Sequence, residues 1–215
     1  GYSFHIFSVA LREKLSASIS QTLSMINLNM VSEIEKYQYL CGSICISEEI
    51  KDGLLNKDMS DIEKNQAINE IQSMIRTKII YPAKNITVYD TDGNIFYDLG
   101  YDGFYQNDVD MLLDRLRQEN QDVWAYVHTY RDRDILVLGR RIYEQYSESR
   151  VIGYTLISID EKIFSKTVLE PVGLADSSNI MYMNMDGTVL SSWDRNIALG
   201  EKVDSEFLKN IQQKL

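Results

Sequence analysis

Between Phe4 and Cys41 the apolar residues recur at steps of three and four: Phe4, Phe7, Leu11, Leu15, Ile19, Leu23, Ile26, Met30, Ile34, Tyr37 and Cys41. No Pro or Gly interrupts them before Gly42. The spacing predicts a helix of roughly 35 to 40 residues, about 55 Å long. That length without internal caps suits a coiled coil or a spine better than a helix folded into a compact core. Gly42 and the polar Ser47-Glu48-Glu49 mark a break, with a short helical turn before Gly53. A second helix starts at Ser60-Asp61-Ile62-Glu63, a capping box in which the Ser hydroxyl and the Glu carboxylate each satisfy an orphan N–H. Its stripe is Ile68, Ile71, Ile75 and Ile79, and Tyr81-Pro82 ends it.

Beyond Pro82 the period changes from 3.6 to two. Ile86-Thr87-Val88-Tyr89 enters Asp90-Thr91-Asp92-Gly93-Asn94 and leaves as Ile95-Phe96-Tyr97, with the Asp-Gly pair as the hairpin signal. A short helix follows from about Asp108 to Gln118, with Val109, Leu112, Leu113 and Leu116 inward. Three strands come next, Val123–Tyr130, Ile135–Tyr143 and Val151–Ile159, joined by polar loops at 131–134 and 145–150. Consecutive strands on short loops predict an antiparallel sheet. The hairpin then recurs 94 residues downstream: Ile180-Met-Tyr-Met-Asn-Met-Asp-Gly-Thr-Val-Leu aligns with Ile86-Thr-Val-Tyr-Asp-Thr-Asp-Gly-Asn-Ile-Phe, placing Asp186-Gly187 on Asp92-Gly93. A helix over Asp204–Lys214 follows the second copy, which then lacks the three closing strands. The fold class expected is therefore α+β: a long N-terminal helix, an antiparallel five-stranded module, and a second, truncated module.

Composition narrows the chemistry. In 215 residues, 22 Lys+Arg face 32 Asp+Glu for a net charge of −10, which argues against a phosphate-tracking surface and hence against nucleic acid. Two Cys and two His, His5 and His128, cannot supply a four-thiolate zinc site or a His-based centre, so no metal is expected. Cys41 and Cys45, four apart, read as buried apolar residues, with a strained bridge as the alternative in an oxidising space. Asp90, Asp92 and Asp98 echo a calcium loop without its closing Glu and are better explained by turn chemistry. No Gly-rich phosphate loop, nucleophile elbow or Cys/His pairing within one module is present, so neither catalytic residues nor a cofactor is expected. Fourteen Tyr suit a pocket or an interface. No stretch is apolar enough to span a bilayer, but the chain opens mid-pattern at Gly1-Tyr2-Ser3-Phe4 and reads as a piece of something longer.

The order of elements resembles the double Cache extracellular sensor domain, whose modules are PAS-like. The most specific residues are Asp122-Val123-Trp124, then Ile135 to Ile142 with Arg140-Arg141, then Ile152-Gly153-Tyr154-Thr155-Leu156-Ile157-Ser158-Ile159-Asp160. In pattern they are similar to the ectodomains of YesM-type sensor histidine kinases. The chain departs from such relatives at Asp108-Val109-Asp110-Met111-Leu112, where an aromatic pair is usual, and it lacks a clean amino-acid-binding signature. The resemblance implies a helical spine over 1–80 with a break near 42–59, a membrane-distal PAS-like module over 81–165, and the start of a membrane-proximal one over 166–215. It implies a ligand in the distal module, and strand alternation puts Trp124, Tyr126, His128 and Tyr130 on one face there. Arg140, with Arg141 as the other candidate, is expected to fork a ligand carboxylate. Tyr97, Tyr101, Asp102 and Tyr105 are expected to cover the pocket. The function implied is small-molecule sensing on the extracellular side of a bacterial membrane, by a two-component histidine kinase anchored there and dimerised through the N-terminal helix. A chemoreceptor or cyclic-dinucleotide enzyme ectodomain of the same fold is the first alternative, and a ligand-free adhesion or assembly module the second.

Overall fold

The computed structural model describes residues 7–10, 17–56, 58, 60–77, 85–100, 103–128, 134–145, 149–164, 180–183, 188–192, 199–200, 202 and 206. Its elements in chain order are β1 (Phe7–Ala10), α1 (Ala17–Ile46), α2 (Glu48–Leu55), α3 (Asp61–Thr77), β2 (Asn85–Asp90), β3 (Ile95–Gly100) and α4 (Gln106–Gln118). They continue with β4 (Val123–His128), β5 (Asp134–Tyr143), β6 (Val151–Asp160), α5 (Lys162–Phe164), β7 (Ile180–Met183) and β8 (Val189–Ser192). The chain divides into two compact units, one of residues Glu35–Asp160 and one of Gly1–Ile34 with Glu161–Leu215.

In the Glu35–Asp160 unit the sheet order is β3-β2-β6-β5-β4, antiparallel throughout. The β2–β3 turn forms because Asp90 Oδ1 accepts from the Asp92 and Asn94 N–H groups at 3.0 and 2.8 Å, while Gly93 takes a φ of 85° that a Cβ would resist. One face of this sheet, carrying Tyr89, Val123, Ala125, Val127, Ile135, Val137, Tyr154 and Leu156, is packed by Val109, Leu112, Leu113 and Leu116 of α4. Strand alternation and helical spacing thus meet in one core. The end of α4 is fastened by Arg141, whose guanidinium donates to the carbonyls of Leu116 and Arg117, the favourable place for a cation at a helix C-terminus. The residues of α1 within this unit bury Tyr37, Leu40, Cys41, Ile44 and Cys45.

The helix signals act where the sequence placed them, with two differences. Ser60 and Glu63 close the capping box reciprocally, the Ser60 N–H donating to Glu63 Oε2 at 3.0 Å and the Glu63 N–H to Ser60 Oγ at 3.3 Å. Helix α1, however, does not break at Gly42 but runs to Ile46, where Ser47 caps α2 by accepting from the Ile50 N–H at 3.4 Å. The other correction lies at the N-terminal side. The three-and-four spacing predicts helix from Phe4, yet Phe7–Ala10 is a strand. Its Phe7-Ser8-Val9-Ala10 also alternates, and pairing with β7 decides between two periods that so short a run cannot separate.

In the other unit the sheet order is β1-β7-β8. The repeated hairpin is present as β7–β8, and β1 pairs antiparallel with the free side of β7, from Phe7↔Met183 to Ala10↔Ile180. That is the flank on which β6 pairs with β2 in the five-stranded sheet. The N-terminal strand β1 therefore takes on β7 the place that β6 takes on β2. Of the expected helix over 204–214 only Glu206 is described, as helical, while Tyr81-Pro82 and the Asp186-Gly187 turn lie outside the described residues.

Gly153 tests how tightly the larger unit is packed. A Cβ there would sit 2.5 Å from the Tyr89 carbonyl oxygen and 3.0 Å from Leu54 Cδ1, whereas at Gly139 it would meet only side-chain atoms of Leu116 and Leu156 at 3.0 and 3.1 Å. Backbone cannot yield as a rotamer can. Gly153→Ala should cost about 2 to 3 kcal/mol in urea unfolding and Gly139→Ala about 1; equal costs would show that the β2–β6 spacing relaxes freely.

Candidate functional site

Cross-strand registers define the second face of the five-stranded sheet. Arg140 lies opposite Thr155, Thr155 opposite Val88, and Val88 opposite Tyr97, so these four form one row across β5, β6, β2 and β3. The neighbouring row is Trp124, Leu138, Ile157, Ile86 and Leu99. Tyr126 joins the same face opposite Leu136. Alternation along β4 therefore gives the face expected from the sequence, with Trp124 buried and Tyr126 half-buried. His128 closes β4 opposite Asp134, and its side chain lies outside what is described, as do Tyr101, Asp102 and Tyr130. Tyr105 is exposed and N-caps α4, the helix on the opposite face.

The structure separates these residues into two groups. Tyr97 stands on β3 and Trp124 and Tyr126 on β4, the two edges of the sheet. Four strand spacings of about 4.8 Å put the edges roughly 19 Å apart. No single amino-acid-sized molecule reaches from one group to the other.

Arg140 stands between them, and its fork is already filled. Its Nε donates to Asp122 Oδ1 at 2.8 Å and its Nη2 to Asp122 Oδ2 at 2.6 Å, a bidentate pair with 29% and 15% of the two side chains exposed. Asp122 occupies the position expected for a ligand carboxylate. The third guanidinium nitrogen, Nη1, faces α1 so closely that a Cβ on Gly42 would sit 3.0 Å from it. Gly at position 42 is what admits the guanidinium there, and Cys41 and Cys45 flank it. Cys45 Sγ lies 3.8 Å from Thr155 Oγ1. Burial works against the Arg140 charge, but the Asp122 hydrogen bonds and the adjacent thiols outweigh it and hold the group above its ordinary value. The thiols share a hydrogen bond that, with burial, pushes Cys41 up. The same bond draws Cys45 down, opposed by burial and aided by Arg140 and Thr155. The sequence singled out Arg140 but not Asp122 or Thr155 as its neighbours. The signal it carried was Cys-Gly-x-x-Cys at the foot of the long helix, a glycine where a helix otherwise disfavours one.

Tyr97 is the other feature of this face. It is buried, and its hydroxyl has no hydrogen-bond partner among the described residues. Among the described residues no group of three or more His, Cys, Asp or Glu is placed to hold a metal.

With this geometry in place, the chain can be set beside known proteins. No family model and no curated protein matches it. Solved structures do. It superposes on the periplasmic domain of Vibrio cholerae LuxQ with a TM-score of 0.54 at 16% identity, covering 87% of this chain and 82% of that one. The sensor domain of the V. cholerae histidine kinase DctB gives 0.55 at 12% identity, over 91% of this chain and 74% of that one. The ligand-binding domain of the Campylobacter jejuni chemoreceptor Tlp3, solved with L-valine, gives 0.51 at 10% identity, over 90% and 75%. The chain has the PAS-like fold of extracytoplasmic sensor domains.

Burial, and behind it the Asp98 carboxylate, pushes Tyr97 up to about 12, and Tyr89 likewise to about 12. In the unfolded chain a tyrosine ionises near pH 10, so between the two values the unfolded state loses a proton that the folded state keeps. The stability held in these two groups is full below about pH 10 and is lost as the pH rises through 12. Tyr97→Phe should leave stability at pH 7 unchanged or higher by up to about 1 kcal/mol, because it removes an unsatisfied hydroxyl, and should flatten the fall in Tm between pH 10 and 12. A loss above about 1 kcal/mol at pH 7 would mean the hydroxyl is bonded after all.

Proposed function

We propose that this chain is the extracellular small-molecule-sensing domain of a membrane-bound two-component sensor histidine kinase, a part that binds and relays rather than catalyses. The observation that carries this proposal is the fold, whose likeness to the LuxQ and DctB domains extends over 87% and 91% of the chain. The likeness to Tlp3 supports the same sensing role under a chemoreceptor output. No helix among the described residues is long and apolar enough to cross a membrane, so anchoring belongs to segments outside them. In this proposal residues 81–165 form the ligand-bearing module, 1–80 the spine, and 166–215 the membrane-proximal part.

The ligand is placed at the β3 edge, against Tyr97. The buried, unpartnered Tyr97 hydroxyl favours this edge, since such a group costs free energy until something bonds it. The second placement is the β4 edge, with Trp124, Tyr126 and His128. Arg140 supports either edge from behind through Asp122 and meets the ligand in neither. Because Tlp3 was solved with L-valine and with isoleucine, amino acids head the ligands to test.

The outward side of α1 supports self-association through the long helix. Met25, Leu28, Tyr39 and Ile46 are 64, 68, 55 and 71% exposed. They fall at the a and d positions of one heptad frame, opposite the buried stripe of Leu23, Ile26, Met30, Ile34, Tyr37 and Cys41. A second copy of the chain offers the same seam and is the occupant proposed.

A thermal-shift screen of amino acids, organic acids, amines and sugars should find at least one compound that raises Tm. Tyr97→Phe should abolish that shift and Tyr126→Phe should keep it; the reverse would move the ligand to the β4 edge. Sedimentation should give a dimer that Leu28→Glu converts to monomers. A dimer stabilised by none of these compounds would support an assembly module instead.

A further inference from the structure

We propose that Cys41 and Cys45 form a two-thiolate site for a soft monovalent d10 cation, with Cu(I) as its test case. This goes beyond the sensing role and stands even if no organic ligand is found.

The two thiols lie four residues apart on one face of α1, a spacing that leaves their Cβ atoms about 5 to 6 Å apart. A disulfide needs a Cβ separation of about 3.5 to 4.5 Å, so oxidation would have to break the turn across Gly42. A bridging ion fits the pair with the helix intact. On that face Cys45 Sγ donates to Thr155 Oγ1 at 3.8 Å. Both are buried, Cys45 keeping the small exposure of 8% through which an ion can enter.

The surroundings suit an anionic bis-thiolate. Asp122 uses Nε and Nη2 of Arg140, which leaves Nη1 turned toward the Gly42 backbone between the two cysteines. Thr155 Oγ1, 3.8 Å from Cys45 Sγ, can turn its O–H to a thiolate as readily as it now accepts from the thiol. These are the outer contacts that orient sulfur ligands and set their basicity.

The number of ligands selects the metal. Structural zinc takes four, and among the described residues no third His, Cys, Asp or Glu joins the pair in a group that could hold a metal, the nearby Asp122 being taken up by Arg140. Thiolates select Cu(I) among the biological first-row ions, and a closed-shell d10 ion accepts two-coordinate geometry. On loading, two S–H bonds break and two metal–sulfur bonds form. Both protons leave to solvent, no electron moves, and the site goes from neutral to a single negative charge beside the guanidinium. The bound ion would close the last turn of α1 across Gly42, where the helix is weakest.

The reduced, intact chain, kept anaerobic, is titrated with Cu(I) supplied as its bicinchoninate complex. One equivalent per chain should be withdrawn, with two sulfur neighbours in copper X-ray absorption. Cys41→Ser and Cys45→Ser should each weaken binding at least about tenfold, while Thr155→Val, which keeps both thiols, still takes one equivalent. No withdrawal by the native chain, or equal withdrawal by the serine variants, would overturn the site. Should a serine variant lose its cooperative thermal transition, the native chain decides alone: nitrogen or oxygen neighbours in place of sulfur mean an adventitious ion only.

Discussion

The ion pair between Arg140 and Asp122 is the joint on which the larger unit depends. Two strands, β4 through the residue just before it and β5, present the partners, and the remaining guanidinium nitrogen reaches the backbone of α1 at Gly42. The largely apolar middle of this face thus carries the Arg140 charge, neutralised on the spot. Such a pair adds little net stability over an apolar substitute, because desolvation consumes most of the attraction, but it penalises any arrangement that separates the partners. It fixes which residues of α1 meet the sheet. Leu and Ile packing alone would tolerate sliding by a turn; a guanidinium that fits only against a glycine does not.

Under the proposed sensing role, that joint is an element a ligand could move. Its row continues through Thr155 and Val88 to Tyr97 at the far edge, so a ligand at the site proposed against the Tyr97 hydroxyl would push on the same cross-strand register that positions Arg140. A ligand shifts a two-state element only by its differential affinity for the two states, and a charged, shape-specific contact is a natural place for those states to differ. The thiol pair beside it would let an ion act on the same turn of helix.

Local chemistry explains what was readable in the residues alone. The Asp90–Asn94 turn, the Ser60–Glu63 capping box and the apolar stripe of α4 are written within a few positions of where they act, and all stand in the structure. The strands β4, β5 and β6 were legible because alternation and polar loops bound them closely. Partnerships across long separations were not. Nothing near Arg140 in sequence names Asp122 as its counter-ion, and Arg141 gives no sign that it will cap a helix ending at Gln118. Phe7–Ala10 failed for the same reason, since its strand exists only through β7, 170 to 176 residues away. Of the candidate site, alternation gave the shared face of Trp124 and Tyr126; that Arg140 and Tyr97 stand on the same face, and that the group divides between two sheet edges, needed the strand order and registers.

The account is tested most directly by a double-mutant cycle on the joint, using Arg140→Met and Asp122→Leu in urea unfolding. Each single substitution leaves one charge partly buried and should cost about 2 to 4 kcal/mol. The double variant should cost less than the sum of the two by at least about 1.5 kcal/mol. Additivity within about 0.5 kcal/mol would mean that the two side chains are neighbours without being a joint, and would contradict the account.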